Sequence, residues 1–348
     1  PLFNDTAPTE LYTGCRSSAA SDVYKRQGPG QAVVRIKASS ICGSDVRAIY
    51  REHLGTGPEA YVDGTIGGHE PCGQVESVGP GVSSIRPGDR VAVYHIAGCG
   101  LCRDCRGGFM ISCSSPTRAA YGWQRDGGHA DLMLAEERTL LPLPEPLTWE
   151  DGALVACGFG TAWQGVLRAD VSGRDRVLGT GLGPVGLATL MLSTASGAEV
   201  FGVDTRPERR AFALELGASA VFAPEEARDG IADSTRGTGV EVAIDCSAAA
   251  SARQLCLATA RRWGRVVFVG EGGDVTFAPS PTLIHHQLAL HGSWVTGLGE
   301  MEDLLEFLAR KGLHPDRTVT DRFDLGQTGE AYRAFEEGHT VGKVVVSP

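Results

Sequence analysis

The chain reads RVLGTGLGPVGLATLMLSTASGAEVFGVD from Arg176 to Asp204. A short apolar run typical of a strand comes first, a glycine-rich turn follows, and an apolar run long enough for a helix comes next. The turn, Gly181–Gly186, matches the pattern G-x-G-x-x-G. Its glycines allow a tight turn and bring phosphate groups close to the N–H groups at a helix N-terminus. A second strand-like run, 199–203, ends at Asp204. This order of elements predicts a parallel sheet that binds a dinucleotide.

The acidic residue at the end of this stretch bears on the choice of cofactor. Asp204 lies 23 residues after Gly181, where a carboxylate would hydrogen-bond a ribose 2′-hydroxyl and repel a 2′-phosphate. NAD is therefore favoured over NADP, although the guanidinium groups of Arg206, Arg209 and Arg210 could accept a phosphate. The candidate cofactor residues are Gly181, Gly183, Pro184, Val185, Gly186, Asp204, Arg209 and Val269.

Strand-like and helix-like segments alternate beyond residue 159. A helical pattern at 207–216 is followed by strand-like runs at 240–244 and 265–269. Alternation of this kind predicts a doubly wound parallel sheet. The part before residue 159 differs, because its short apolar runs are separated by turns rich in Gly and Pro. These runs lie at 32–38, 73–78 and 90–95. The expected fold class is α/β, with a β-rich domain in addition to the doubly wound sheet.

Length and charge bound the possible functions. With 348 residues the chain is long enough for two domains. Its 32 basic and 42 acidic residues give a formal net charge of −10, which argues against nucleic acid or an anionic membrane surface as a partner. The uncharged run 177–198 has the length of a membrane span. Its glycines and proline favour a strand, a turn and a buried helix instead, so no membrane segment is expected.

Four of the ten cysteines lie within 15 residues, as Cys99, Cys102, Cys105 and Cys113. Four closely spaced thiolates are typical of a structural zinc site, whose closed tetrahedron leaves no position for a substrate. An iron–sulfur cluster is the competing interpretation, but Ser114 stands where the bacterial ferredoxin pattern requires proline. A chain of this length does not need disulfides for its core, and its first residues do not match a signal peptide. A cytoplasmic location is therefore favoured.

A second, looser set of metal-binding residue types is spread along the chain. Cys42 opens the run Cys-Gly-Ser-Asp, His69 stands in Gly-Gly-His-Glu, and Cys157 stands in Ala-Cys-Gly-Phe. No spacing rule unites these three residues. From the pattern alone, the default interpretation is structural, with Cys42 and Cys157 as buried cysteines and His69 as a hydrogen-bonded core histidine.

Taken together, these residues resemble the zinc-containing alcohol dehydrogenases of the medium-chain dehydrogenase/reductase family. The resemblance runs from about Gly28 to the C-terminal end. It is most specific at Gly67–Val91, which contains Gly-His-Glu, Val-Glu-Ser-Val-Gly and Arg-Pro-Gly-Asp-Arg-Val. The cysteine cluster and the glycine turn follow in the order that the family has. The resemblance implies a GroES-like catalytic domain of residues 1–158 and 297–348 and a Rossmann domain of residues 159–296.

The resemblance also implies roles for individual residues. The ligands of a catalytic zinc are matched by Cys42, His69 and Cys157. With the structural site this gives two zinc ions per chain. Glu70 matches an acidic neighbour of the metal, and Asp45 matches the carboxylate that orients the ligand histidine. Ser44 matches the hydroxyl that hydrogen-bonds the substrate oxygen. Members of the family are dimers or tetramers, so a homodimer or homotetramer is expected.

The expected reaction transfers a hydride between a primary or secondary alcohol and NAD, with an aldehyde or ketone in the reverse direction. Relatives that act on sorbitol or threonine tend to carry glutamate at the position of Cys157, so a simple alcohol is favoured. A polyol, sugar alcohol or threonine-type substrate is the alternative. Many relatives place a relay histidine five residues after the first zinc cysteine, where this chain has Arg47. An arginine cannot act as a base, so the proton is expected to leave through water or His53.

Other interpretations remain open. Metal-free quinone or enoyl reductases lack the ligands at Cys42 and Cys157, and a zinc-ribbon interaction module does not explain the glycine turn or the acidic charge. Leu11–Gln27 shows neither strand alternation nor the motif that relatives have at their start. It resembles either translated non-coding sequence or a divergent leader.

Overall fold

The computed structural model describes residues 27–46, 62 and 64–348. Arg47, His53 and all but the last residue of the leader segment lie outside the described residues. The expectations for the proton relay and the leader therefore stay predictions.

The chain forms two compact units. The first contains the described residues up to Cys157 together with Gly297–Pro348, and the second is Gly158–Thr296. The assignment of a catalytic role to the first and a cofactor-binding role to the second remains a prediction.

The helices and strands have the following bounds. The strands are β1 (Gln31–Ile41), β2 (Glu70–Val78), β3 (Arg90–Val93), β4 (Ile96–Ala97), β5 (Ala119–Ala120), β6 (Leu132–Glu136), β7 (Leu140–Pro142), β8 (Arg176–Thr180), β9 (Glu199–Val203), β10 (Ala220–Phe222), β11 (Val240–Asp245), β12 (Ala260–Phe268), β13 (Ala289–Gly292), β14 (Val319–Asp324) and β15 (Lys343–Ser347). The α-helices are α1 (Arg103–Arg106), α2 (Trp149–Leu154), α3 (Gly160–Arg168), α4 (Pro184–Ala195), α5 (Pro207–Glu215), α6 (Ala227–Ser234), α7 (Ala250–Thr259), α8 (Leu298–Lys311) and α9 (Thr328–Glu336). Wider π-helical turns occur at Val155–Phe159 and Ser280–Ile284, and 3-10 turns occur at Met110–Ser112, Glu137–Thr139, Pro315–Thr318 and Leu325–Gln327.

The first unit is built on a mixed sheet in the order β14-β15-β1-β2-β3-β7, with β6 also paired to β1. The central strand β1 pairs antiparallel with β2, β6 and β15, whereas β14 and β15 run parallel. Apolar residues of β1, such as Val34 and Ile36, pack with Val91 and Met133 in the core. Gly297–Pro348 supplies β14 and β15, so this later stretch of sequence completes the sheet that contains β1.

The second unit contains six parallel strands in the order β10-β9-β8-β11-β12-β13. Numbered within the unit, this order is 3-2-1-4-5-6, which is the strand order of dinucleotide-binding sheets. Leu178, Val203 and Val266 are buried in its core. The predicted α/β fold class, a β-rich GroES-like part plus a doubly wound Rossmann sheet, is confirmed.

One predicted strand begins earlier than expected. The run predicted at 265–269 belongs to β12, which starts at Ala260. Its first part contains two arginines and the exposed Trp263, whose backbone is left-handed with φ 63°. Polar and exposed residues give no alternating apolar pattern, which is why the sequence did not indicate this part of the strand.

The apolar run 177–198 divides between β8, the glycine turn and α4, as predicted. Helix α4 has 12 residues, so at about 1.5 Å per residue it is far shorter than a bilayer core. Among the described residues, the helices include none with the length and apolar character required to span a membrane.

Candidate active site and metal centres

Four side chains with metal-binding atoms converge inside the first unit. Cys42, His69, Glu70 and Cys157 are buried, and one ligand atom of each lies within 4.8 Å of the others. The two sulfur atoms are 3.9 Å apart although their residues are 115 positions apart in sequence. The fold thus gathers the three predicted ligands of the catalytic metal and the acidic residue predicted to lie beside them.

Strand pairing and a helix end explain this convergence. Cys42 follows the last residue of β1, while Glu70 opens β2, and the pairing of these strands sets Ser40 opposite Glu70. Cys157 stands in the wide turn Val155–Phe159, which follows α2. Helix α2 is started by a capping box in which Thr148 and Asp151 each accept a hydrogen bond from the other residue's backbone N–H.

A carboxylate fixes the orientation of the histidine in this set. The Nδ1 of His69 donates a hydrogen bond to Asp45 Oδ1 at 2.7 Å, and the backbone N–H of Cys42 donates to Asp45 Oδ2 at 2.7 Å. With Nδ1 protonated, Nε2 of a neutral ring carries the lone pair. His69 Nε2 is buried, and among the described residues it has no hydrogen-bond partner. An unpartnered imidazole lone pair beside two thiols is the donor set that a catalytic zinc requires.

The electrostatics of the set depend on the close contact of its members. Burial opposes a charge on His69, yet the carboxylate of Asp45 raises the pKa of the imidazole well above its usual value. A metal bound at Nε2 would therefore take the place of a proton. The hydrogen bond between the two cysteines lowers the pKa of Cys42 well below its usual value and raises that of Cys157. The Oγ of Ser44 lies 3.9 Å from Cys42 Sγ. The predicted substrate-binding hydroxyl is therefore next to a predicted metal ligand.

The four clustered cysteines form a second site. Their sulfur atoms lie within 4.8 Å of one another, in Cys99, Cys102, Cys105 and Cys113. The backbone N–H groups of Leu101 and Cys102 both point to Cys99 Sγ at 3.4 Å, and they lower the pKa of this thiol to about 6. Burial raises the pKa of Cys105 to about 12. Four sulfurs that already lie this close fit a closed structural zinc site.

The glycine turn of the second unit is packed too tightly for larger residues. A Cβ on Gly186 would lie 1.8 Å from the carbonyl oxygen of Gly181, and one on Gly181 would lie 2.6 Å from Ser247 Cβ. Gly181 also has a left-handed backbone with φ 80°. Gly183 caps helix α4 and Pro184 occupies its first turn, so the turn leads directly into a helix N-terminus. This arrangement suits an anion such as a pyrophosphate.

Asp204 is held in place at the end of β9. Its Oδ2 accepts a hydrogen bond from the backbone N–H of Leu182 at 2.7 Å, and its Oδ1 accepts one from the N–H of Arg206 at 2.8 Å. Arg209 Nη1 lies 4.0 Å from the same carboxylate. The predicted acidic residue is thus tied to both the glycine turn and the start of α5.

A cavity of about 470 Å³ opens beside this carboxylate. Of the predicted cofactor residues, Gly181 and Asp204 line it. Val269 lies past the end of β12, where its N–H donates to the carbonyl of Asp245, and it is not part of the cavity lining as described. The remaining lining residues are Thr180, Val203, Thr205, Pro224, Arg228, Ser247, Ala249, Ser251, Ala252, Gln254, Leu255 and Ala258.

Comparison with known proteins places this geometry in a family. Residues 28–145 match the alcohol dehydrogenase GroES-like domain, and residues 184–310 match the zinc-binding dehydrogenase domain. The chain is 48% identical to an uncharacterized zinc-type alcohol dehydrogenase-like protein, YphC, of Escherichia coli (strain K12), with 92% of each chain covered. The chain belongs to the zinc-containing alcohol dehydrogenases of the medium-chain dehydrogenase/reductase family. As a zinc-containing alcohol dehydrogenase it is an oxidoreductase whose cofactors are zinc and a nicotinamide dinucleotide.

Two further similarities cover most of this alcohol dehydrogenase. A probable D-xylulose reductase A of Arthroderma otae is 32% identical, with 88% of this chain and 86% of the relative covered. The solved alcohol dehydrogenase TADH from Thermus sp. ATN1 is 26% identical and has a TM-score of 0.83, with 92% of this chain and 93% of the other covered.

The sequence reasoning missed several residues around the metal site of this dehydrogenase. His95 and Trp123 lie beside the ring of His69, with centroid distances of 5.3 and 5.5 Å. Lys343 contacts Glu70 from the last strand. His95 could have been singled out from the sequence, because it ends the apolar run 90–95 and lies four residues before Cys99. Trp123 and Lys343 carry no local signal of this kind.

Proposed function

We propose that this enzyme oxidises a primary or secondary alcohol to an aldehyde or ketone with NAD as the hydride acceptor, and catalyses the reverse reduction. The observation that carries the proposal is the convergence of Cys42, His69 and Cys157 on one buried point, with their ligand atoms within 4.8 Å. Two thiolates and a neutral imidazole leave one position open for a substrate oxygen.

Each residue of the set has a distinct part in this proposal. Cys42, His69 and Cys157 would hold the catalytic zinc, which supplies a Lewis acid that lowers the pKa of an alcohol. Asp45 keeps His69 in the tautomer whose Nε2 is free to bind metal. Glu70 places a carboxylate near the ligand atoms. The four clustered cysteines would hold the second, structural zinc.

Ser44 is proposed to accept the proton of the substrate hydroxyl. Its side chain is partly exposed and lies next to Cys42, so it can contact both the substrate and water. From Ser44 the proton is proposed to leave through water or His53, because Arg47 cannot act as a base.

NAD is proposed as the preferred cofactor because of Asp204. Its carboxylate lines the cavity of the second unit and would repel a 2′-phosphate while binding a 2′-hydroxyl. The hydrogen bonds from Leu182 and Arg206 hold the carboxylate in one orientation. Arg209, 4.0 Å away, partly offsets its charge.

A polyol or sugar alcohol is the second candidate substrate. It is favoured by the similarity to the Arthroderma otae protein, which is named a probable D-xylulose reductase. Cysteine at position 157 favours a simple alcohol over the polyol and threonine branches.

A cytoplasmic location and a homodimer or homotetramer complete the proposal. The cysteines of the described residues are free thiols, as expected in a reducing compartment. The oligomeric state follows from the family resemblance and is testable by light scattering.

The proposed reaction is tested by measuring NAD reduction at 340 nm with a panel of primary, secondary, aromatic and polyhydroxy alcohols. We expect turnover with at least one class, and two zinc ions per chain by metal analysis. Removal of zinc by a chelator should abolish turnover while NADH binding, followed by fluorescence, remains. A protein with two zinc ions that oxidises none of the alcohols would contradict the proposal.

A further inference from the structure

A buried ion pair lies at the carboxyl end of the parallel sheet in the second unit. Asp245 is the last residue of β11, and Arg253 lies in α7; their side chains are 0% and 9% exposed. The Nε of Arg253 donates a hydrogen bond to Asp245 Oδ2 at 3.3 Å. A buried ion pair is often no more stabilising than apolar residues of the same volume. The distinctive contribution of this pair is therefore to the backbone groups that it bonds, since apolar side chains could not bond them.

The carboxylate of Asp245 holds the loop that follows β11. Its Oδ1 accepts hydrogen bonds from the N–H and the hydroxyl of Ser247 at 3.0 and 2.7 Å, and its Oδ2 accepts one from the N–H of Ala248 at 3.1 Å. Ala248 has a left-handed backbone with φ 65°, which costs free energy in a residue with a Cβ and persists only where its surroundings hold it. The hydroxyl of Thr180, the last residue of β8, also donates to Asp245 Oδ1, at 3.0 Å. One carboxylate thus ties this loop to the end of β8.

The guanidinium group of Arg253 holds the loop that follows β12. Its Nη2 donates to the carbonyl oxygen of Gly270 at 2.7 Å, and its Nη1 donates to that of Gly273 at 2.8 Å. Both glycines pack against Ala248, because a Cβ on Gly270 would lie 2.4 Å from its nitrogen and one on Gly273 would lie 2.2 Å from its carbonyl oxygen. The planar fork of an arginine suits two acceptors at once. Arg253 therefore fixes the loop after β12 against the loop after β11.

These two loops lie where a doubly wound sheet binds its ligand. The strand order reverses between β8 and β11, and ligands bind at the carboxyl ends of the strands at such a point. Thr180 and Ser247, which both bond Asp245, line the same cavity as Asp204. Gly181 of the glycine turn packs against Ser247, since a Cβ on it would lie 2.6 Å from Ser247 Cβ. A shift of the loop after β11 would therefore change both the cavity wall and the packing of the glycine turn.

We propose that Arg253 is a positioning residue for the nicotinamide dinucleotide: together with Asp245 it holds the loops after β11 and β12 in the arrangement that binds the cofactor. The inference rests on the proposed placement of the cofactor in the cavity beside Asp204, and it does not depend on which alcohol is oxidised. Without the ion pair the two loops adopt the binding arrangement only part of the time. The apparent affinity for the cofactor then falls by that fraction.

The test measures the dissociation constant of NADH from the zinc-loaded enzyme by fluorescence titration. Arg253→Met removes the donors, and the dissociation constant should rise at least about tenfold, as expected when the loops are competent to bind a tenth of the time or less. In steady-state oxidation the KM for NAD should rise by a similar factor, whereas kcat at saturating NAD should not fall. Arg253→Lys keeps the charge and loses the fork, so it should recover part of the affinity.

A double variant separates the loss of these hydrogen bonds from the loss of a counter-charge. Arg253→Met alone leaves the carboxylate of Asp245 buried without its cation, which destabilises a fold. Adding Asp245→Asn removes that charge and keeps an acceptor oxygen for Ser247, while the carbonyls of Gly270 and Gly273 still lack their donor. The double variant should melt at a higher temperature than Arg253→Met and should still bind NADH at least about tenfold more weakly than the wild type.

Arg265 provides a matched control in the same unit. It donates to the carboxylate of the buried Asp175 and to the carbonyl oxygens of Ala169 and Asp170, so it also joins an aspartate to two backbone carbonyls. Asp175 immediately precedes β8, which places this pair at the amino end of the strand, and none of these four residues belongs to the cavity lining as described. Arg265→Met should lower the melting temperature and leave the dissociation constant of NADH unchanged.

The outcomes distinguish the inference from the proposed function. An unchanged dissociation constant in both Arg253→Met and the double variant would overturn the inference. Equal weakening of NADH binding in Arg265→Met would overturn it as well, because lost stability alone would then explain the effect. A zinc-loaded wild type that does not bind NADH would also overturn it. An enzyme that shows the expected changes in NADH binding but oxidises no alcohol would contradict the proposed function and support the inference.

Discussion

The ammonium group of Lys343 contacts the carboxylate of Glu70, the residue that follows His69. The side chains are 1% and 0% exposed. Burial raises the pKa of Glu70, and although burial acts against the charge on Lys343, the carboxylate holds the pKa of Lys343 above its usual value. Ser40 hydrogen-bonds the same carboxylate oxygen. The last strand of the chain therefore supplies the counter-charge of a residue at the proposed metal site.

Replacing this lysine should strongly destabilise the first unit. Lys343→Met leaves Glu70 buried without its cation, and such a loss costs about 3–5 kcal/mol of unfolding free energy. Urea unfolding followed by circular dichroism measures the effect. Lys311→Met, on the exposed part of α8, serves as the control. In the double variant with Glu70→Gln much of the stability should return; equal losses in Lys343→Met and the control would contradict the pairing.

Replacing a proposed ligand of the catalytic metal should abolish chemistry and spare the cofactor. Cys42→Ser should lose one of two zinc ions and at least about 1000-fold in kcat, since the Lewis acid supplies several kcal/mol to the reaction. NADH binding, measured by fluorescence, should be retained. Cys72→Ser, a buried cysteine that bonds the carbonyl of Val91, is the matched control and should keep both zinc ions. Full turnover in Cys42→Ser would show that the reaction does not require Cys42.

The clustered cysteines should matter for stability more than for chemistry. Cys102→Ser removes the sulfur that caps α1 by accepting a hydrogen bond from the N–H of Cys105. It also removes one of four proposed zinc ligands, so the clustered cysteines should lose their metal and the enzyme should lose thermal stability or assembly. Metal analysis and a melting curve test this. A variant that melts like the wild type with both zinc ions present would contradict a structural role.

The carboxylate at the end of β9 should set the preference between NAD and NADP. Asp204→Asn removes the charge and retains an acceptor oxygen, so the ratio of kcat/KM for NAD to that for NADP should fall about tenfold or more. Asp204→Ala should also weaken the binding of both cofactors, because the backbone N–H groups of Leu182 and Arg206 lose their hydrogen-bond acceptor. Asp229→Ala, on the exposed side of α6, is the control. An unchanged ratio in Asp204→Asn would mean that another residue sets the preference.

The pairing of His314 with Asp151 predicts a pH-dependent stability. His314 Nδ1 donates to Asp151 Oδ2 at 2.7 Å, and this hydrogen bond raises the pKa of His314 above its usual value. A histidine whose pKa is raised by folding stabilises the fold fully below its unfolded pKa of about 6.5. That stabilisation is lost as the pH rises through the folded pKa. The neighbouring charges that face the pair are Asp316 and Arg317.

Melting temperatures measured by calorimetry between pH 5.5 and 9 test this pairing. The wild type should lose stability above about pH 6.5, and His314→Gln should lack that component. His339→Gln, whose imidazole is 71% exposed, should retain the wild-type dependence. Parallel curves for the wild type and His314→Gln would show that the pair does not contribute.

Local patterns predicted those parts of the molecule that depend on neighbours in sequence. The glycine turn before α4 and the four clustered cysteines each lie within a few residues, and their chemistry follows from spacing alone. Cys42 and Cys157, 115 residues apart, meet only because the strand before Cys42 and the helix before Cys157 belong to one unit. Their association was available from family resemblance and not from spacing.

The residues that contact the proposed metal site could not be predicted from the sequence for a different reason. Lys343 contacts Glu70 because β15 pairs with β1, and this pairing joins residues about 300 positions apart. His95 and Trp123 meet beside His69 through loops, whose course has no periodic signal. The sequence around each of these residues therefore gives no indication that its side chain lies beside a buried site.

The division of the first unit into two stretches of sequence has a consequence for its synthesis. Gly158–Thr296 leaves the ribosome before Gly297–Pro348, yet the latter belongs to the unit that the earlier residues began. At about 5–20 residues per second, translating these last 52 residues takes about 3–10 seconds. During that interval the second unit can fold while β1 still exposes the edge meant for β15. A chain that stops after Thr296 therefore leaves this edge of β1 without its partner strand, and an unpaired strand edge is a template for pairing with another chain.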